Sequence, residues 1–169
     1  MTTGYSILHF LTDGLCAYAM FGRFADSTAW YVWILVYNFC AFALQLPFGA
    51  VMDGLAIRVR KGSPYPAFLC AVSGLALCVA GAWLHPAVLG VGNALFHVGG
   101  GIGTMEEDRR KKKNGALLGI FVSPGAIGLY LGTVLGKQTE MYAYNGGAVC
   151  IALLMSVIAF SLLIHIRRN

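Results

Sequence analysis

Residues 5–24 read YSILHFLTDGLCAYAMFGRF. The run is about as long as the roughly 20 apolar residues that cross a bilayer, yet His9 and Asp13 sit near its middle. A cleaved leader has a basic start and an unbroken apolar centre. This stretch has neither, so it is expected to stay as a membrane span. Five further apolar stretches follow, over about residues 28–57, 65–84, 86–105, 115–136 and 142–166. A Gly62-Ser63-Pro64 break precedes the third, and His85-Pro86 turns tightly into the fourth.

Composition agrees with that reading. The chain is 58% hydrophobic and 11% charged, against about a quarter charged in soluble domains. Six spans use most of the 169 residues, so residues 1–169 are expected to form one all-α, six-transmembrane-helix bundle with short loops. The formal charge of +5 does not point to nucleic acid, because the basic residues gather between apolar stretches. Ten of the twelve lie after spans two, four and six: Arg58, Arg60, Lys61, the run Arg109 to Lys113, Arg167 and Arg168. Only Arg23 and Lys137 fall on the other side. By the positive-inside rule both termini are expected in the cytoplasm, with the chain in the cell's inner (plasma) membrane and inserted one way up. Glu106, Glu107 and Asp108 with the basic run after them read as a solvated cytoplasmic loop, or as a contact for anionic lipid head groups.

Charge inside hydrocarbon is costly and usually faces a polar pathway. His9 and Asp13, four apart on one helix face, suit a proton-coupled or cation-binding site, or a hydrogen-bonded pair that fixes packing. Asn93 and His97 have the same spacing in span four and suit a solute site or a packing contact. Asn38 and Gln45, seven apart, either line a cavity or join helices. His9, Asp13 and His97 are suitable metal-ligand types, but nothing in their spacing requires a metal, and none is assigned. No cofactor is expected. The five cysteines lie in apolar stretches without ligand spacing and read as small core residues. No nucleophile elbow, phosphate loop or paired catalytic carboxylates occur, so the chain is not expected to be an enzyme. Gly115, Gly119 and Ser123, and Gly128, Gly132 and Gly136, recur every four residues, a spacing that lets membrane helices approach closely. Pro124 interrupts the hydrogen-bond ladder of span five.

Several segments resemble major facilitator superfamily transporters. Gly49-Ala50-Val51-Met52-Asp53, followed by Arg58, Arg60 and Lys61, is similar to the loop between the superfamily's second and third helices, although Gly54 stands where an Arg is usual. The resemblance implies a conformational latch for Asp53 with Arg58 and Arg60. Residues 119–128, GIFVSPGAIG, are similar to the fifth-helix glycine-proline motif of its antiporters. Gly119, Pro124, Gly125 and Gly128 match, and Ser123 and Ile127 replace glycines. His97 takes the place of an Arg linked there to proton transfer. Residues 9–13, HFLTD, residues 44–49, LQLPFG, and residues 94–97, ALFH, look like those of fosmidomycin-resistance-type efflux transporters.

Superfamily members have two six-helix halves, and this chain resembles the N-terminal half alone. Such halves are parallel repeats about an axis along the membrane normal. The resemblance therefore implies half of a major facilitator fold completed by a second copy. The expected function is proton-coupled efflux of a small molecule or ion by alternating access in a parallel homodimer. Two alternatives stay open: half of a heterodimeric transporter, and a non-transporting membrane scaffold or sensor.

Overall fold

A computed structural model of the chain describes residues 1–58 and 63–168. Among these residues the structure is all-α. Helix α1 (Thr2–Ala19) ends in a wider π turn (Met20–Phe24). Helices α2 (Trp30–Asn38) and α3 (Gln45–Arg58) are joined by a second π turn (Phe39–Ala43) and run as one rod. Then come α4 (Tyr65–Leu84), α5 (Pro86–Lys111), α6 (Ala116–Gln138) and α7 (Met141–Arg168).

Four of these six rods are long and apolar enough to cross a membrane: Trp30–Leu55, Tyr65–Leu84, Ala116–Gln138 and Ala143–Arg168. They mark a multi-pass membrane protein. The other two, α1 and α5, carry His9, Asp13, Asn93 and His97 and are correspondingly less apolar. Their position accounts for that. Helix α1 is the most enclosed rod, lying along α6 and also touching α4, α5 and α7. Its Tyr5, Leu8, Leu15 and Cys16 are fully buried. The apolar rods shield the polar ones, as the cost of polar groups in lipid requires.

Two glycine seams set the spacing. Along α1 and α6, a side chain at Gly128 would strike the Phe10 carbonyl and one at Gly132 the Gly14 carbonyl. Along α4 and α5, Gly74 faces the Phe96 amide and Gly99 the Ala71 amide. Backbones this close gain dispersion contacts that larger residues would prevent. The row Gly115, Gly119 and Ser123 lies elsewhere. Open space surrounds the two glycines, and Ser123, also exposed, bonds its own helix at the Gly119 carbonyl, 2.7 Å away. Helix α6 continues through Pro124 without a break.

The segment expected as a solvated fourth loop is different. Helix α5 runs on to Lys111, and Glu107 and Asp108 are buried. The Asp108 carboxylate accepts from the Gly115 and Leu117 amides at 2.8 and 2.9 Å, satisfying the free amides at the start of α6. Glu107 accepts from the Thr2 amide at 2.5 Å, the Thr2 hydroxyl at 2.8 Å and Lys111 Nζ at 2.7 Å. Burial alone would raise the Glu107 carboxyl, but Lys111 and Thr2 hold it well below the ordinary carboxylate range, at about 2. The turn itself uses left-handed backbone at Lys112, Asn114 and Gly115, a conformation easiest for glycine. Consecutive acids therefore pin the starts of α1 and α6 to the end of α5.

The cysteines also divide. Cys16 and Cys78 are buried with their sulfurs 3.9 Å apart, whereas Cys150 is exposed on α7 and is not a core residue.

Candidate functional site

Helices α1, α5 and α6 bring four polar side chains together between them. His9 Nε2 lies 3.1 Å from Asp13 Oδ2, and His97 Nε2 lies 3.7 Å from Asp13 Oδ1. The Asn93 amide donates to Asp13 Oδ1 at 3.1 Å. The two imidazoles meet edge to face, with ring centroids 4.5 Å apart. A carboxylate thus stands between two imidazoles in the middle of the bundle.

The far side of each ring is fixed. His9 Nδ1 is 2.8 Å from the Phe121 carbonyl on α6, and His97 Nδ1 is 2.9 Å from the Asn93 carbonyl one turn earlier on α5. A carbonyl only accepts, so each Nδ1 carries its hydrogen. In the neutral rings both Nε2 atoms then present lone pairs toward Asp13. Lone pairs and a carboxylate repel unless something positive sits among them. At 3.1 Å, His9 Nε2 and Asp13 Oδ2 are close enough to share a proton.

Position in the fold follows from local sequence. The four-residue spacing turns His9 and Asp13 to one face of α1, against α6. Gly125 makes room for them: a side chain there would strike His9 Nε2 and Asp13 Oδ2. Pro124 lacks the amide that would serve the Ile120 carbonyl, and the next carbonyl, Phe121, takes the His9 bond. The Phe121 ring also stacks on His9, with centroids 4.6 Å apart. His9 is sealed, its side chain 4% exposed, whereas Asp13 at 17% and His97 at 21% keep an open side.

The remaining sequence candidates lie elsewhere. Asn38 is exposed at the end of α2. Gln45 is half-buried and spends its amide on the Ala41 carbonyl of its own rod, at 2.8 Å. Asp53 is exposed near the end of α3. Its expected partner Arg60 lies outside the described residues, as does the side chain of Arg58. Gly119 and Ser123 face outward, whereas Phe121, Gly125 and Gly128 of the glycine-proline segment touch α1 beside the cluster. An open groove of about 320 Å³ lies between α1 and α6, lined by Thr3, Ser6, Ile7, Phe10, Ile120 and Pro124.

Sequence reasoning did not single out the Phe121 carbonyl, since a main-chain acceptor has no residue signature. Nor did it single out Tyr5, one turn before His9, or Thr104. Both hydroxyls are buried and without a hydrogen-bond partner among the described residues.

No family model matches the chain, and neither the curated proteins nor the solved structures include a match.

Proposed function

We propose that this protein is a half-sized secondary transporter of the inner (plasma) membrane, working as a parallel homodimer. By alternating access it would exchange protons for a small solute and export the solute. In this reading α1 and α5 cross the membrane with the four apolar rods, both termini are cytoplasmic, and the bundle corresponds to one half of a major facilitator fold. A second copy on a two-fold axis along the membrane normal would supply the other half.

One observation carries the proposal: a carboxylate held between two imidazoles inside a membrane bundle. Placing Asp13 in mid-span costs roughly 2.5 to 3.5 kcal/mol on insertion scales. A packing contact would be met more simply by an amide and a hydroxyl. A proton shared by His9 and Asp13, beside a side of Asp13 and His97 that stays open, links protonation to binding at one place. Loading a positive solute and losing the proton then become alternatives, which is the requirement for exchange.

The test is reconstitution into liposomes with an internal pH dye. The wild type should move protons when an outward solute gradient is imposed from a panel of organic cations, amphiphilic drugs and divalent metal ions. Asp13→Asn should not. Cross-linking in native membranes should trap a homodimer. A monomer active alone, or activity only with a second, different chain, would overturn the homodimer. Equal gradient-driven flux in wild type and Asp13→Asn would sink the proton-coupled site.

A further inference from the structure

We propose that His9 Nε2, the Asp13 carboxylate and His97 Nε2 bind one divalent first-row transition-metal cation per protomer, with Zn²⁺ as the representative, and that this ion class is the transported solute. The second half of that statement rests on the transport reading above; the binding site does not.

The geometry argues for a metal in three ways. First, the ligand atoms converge: one ring nitrogen of each histidine and an Asp13 oxygen all lie within 4.8 Å of one another, with His9 Nε2 3.1 Å from Asp13 Oδ2 and His97 Nε2 3.7 Å from Asp13 Oδ1. Two ligands at about 2.0–2.2 Å from one tetrahedral metal lie about 3.3–3.5 Å apart. Small side-chain shifts therefore bring all three into one coordination sphere. Second, the rings are prepared for it. Metal-binding histidines almost always donate their other ring N–H to a carbonyl or carboxylate, which fixes the tautomer. Both histidines do so here, to Phe121 and Asn93, from different helices. Asn93 in addition donates to the carboxylate. Third, three protein ligands leave a coordination position on the open side of Asp13 and His97, where an ion can enter and leave.

Two imidazoles with one carboxylate select borderline divalent metals over Mg²⁺ and Ca²⁺, which prefer all-oxygen sites. The exchange balances. The metal forms coordinate bonds to two nitrogens and one oxygen. The bond holding the shared proton between His9 and Asp13 breaks, and that proton goes to water. One divalent ion replaces one proton, and the site charge rises by one unit. Other titratable groups near Asp13 are Cys16 on α1, Cys78 on α4 and Tyr37 on α2, while α6 presents Phe121 and Gly125.

The test uses the full chain, purified in detergent without a histidine tag. Zn²⁺ competition against a chromophoric chelator should give one ion per protomer, with about one proton released per ion in weak buffer. Asp13→Asn and His97→Gln should each weaken binding at least about tenfold, the low end of what even outer-shell changes cost. His165→Gln, at the end of α7, should leave it unchanged. X-ray absorption of the Zn²⁺-loaded wild type should show two imidazoles, a readout that does not depend on any variant folding. Equal affinity in wild type, Asp13→Asn and His97→Gln, or loading without imidazole scattering, would overturn the site. Stoichiometric binding with no Zn²⁺ flux in liposomes would overturn the solute assignment and leave the site standing. Proton-driven flux of a different solute, with no Zn²⁺ binding, would overturn this inference and leave the transporter reading intact.

Discussion

His9 and His97 lie on different helices, 88 residues apart in the chain, yet both direct Nε2 at Asp13 and tie Nδ1 to a main-chain carbonyl. The tie matters because it removes the alternative tautomer. Neither ring can turn its N–H toward Asp13 while keeping its carbonyl bond, so the carboxylate is served by Asn93 and by whatever cation or proton the site holds. In the proposed function this restriction matters as much as the ionisable groups themselves.

Asp13→Asn should abolish gradient-driven flux, to the background of empty liposomes, while the protein stays folded. Asn keeps the size of Asp and its capacity to accept from Asn93, but cannot bind or release a proton. The melting temperature in detergent should change by no more than a few degrees. A variant that loses flux only because it unfolds would instead show a large drop in melting temperature and aggregation on gel filtration.

Two glycines of α6 should respond in opposite ways. Gly128→Val places a branched side chain against the Phe10 backbone and should separate α1 from α6, lowering the melting temperature by about 5 °C or more. Gly119→Ala enters open space. Since alanine is favoured over glycine inside a helix by up to about 1 kcal/mol, stability should hold or rise slightly. Thermal unfolding of the two variants side by side reads out which row of glycines forms the seam.

Glu107 should make the protein acid-labile. Its folded carboxyl titrates at about 2, below the roughly 4.3 of an unfolded glutamate. A depressed value means that the unfolded chain binds the proton first as pH falls. The stabilisation is therefore complete above about pH 4.5 and is lost as pH drops toward 2. Glu107→Gln should lower the melting temperature at pH 7 by several degrees and flatten its fall between pH 5 and pH 3. Equal acid profiles for the two proteins would show that the clasp from α5 to Thr2 contributes nothing.

Asp53→Ala should slow exchange between inward- and outward-open forms more than it weakens solute binding. Asp53 is exposed near the end of α3, away from the ligand cluster, where the sequence resembles a latch. Binding measured in detergent should stay within about twofold of wild type while flux in liposomes falls severalfold. Loss of affinity with normal flux would place Asp53 in the binding site instead.

Much of the architecture is legible from apolar run lengths, since roughly 20 apolar residues in a row leave few alternatives to a span. Helical spacing also puts His9 with Asp13 and Asn93 with His97. It cannot say that the two pairs face one another, because that depends on how α1 and α5 rotate about their axes. The same gap explains the glycines. Two rows on α6 have equal spacing, and only packing decides that Gly128 and Gly132 meet α1 while Gly119 faces out. Glu107 and Asp108 look solvated in sequence because acids beside lysines usually are. Their burial comes from amides at Thr2, Gly115 and Leu117, groups that every residue but proline carries and that no motif announces.

The seam between α1 and α6 has a consequence for how the protein is made. Helix α1 leaves the ribosome well before α6, with His9 and Asp13 on one face, and the α6 part of their cover begins only at Ala116. At 5–20 residues per second, the interval is on the order of ten seconds. During that time α1, one of the two less apolar rods, lacks its main partner, and only α4 and α5 are in place to pack against it. If α1 crosses the membrane as proposed, it should settle into the bundle only once α6 arrives. Ribosome-stalled chains ending before residue 116 should leave a cysteine placed at position 13 open to a water-soluble thiol reagent, and longer chains should close it off.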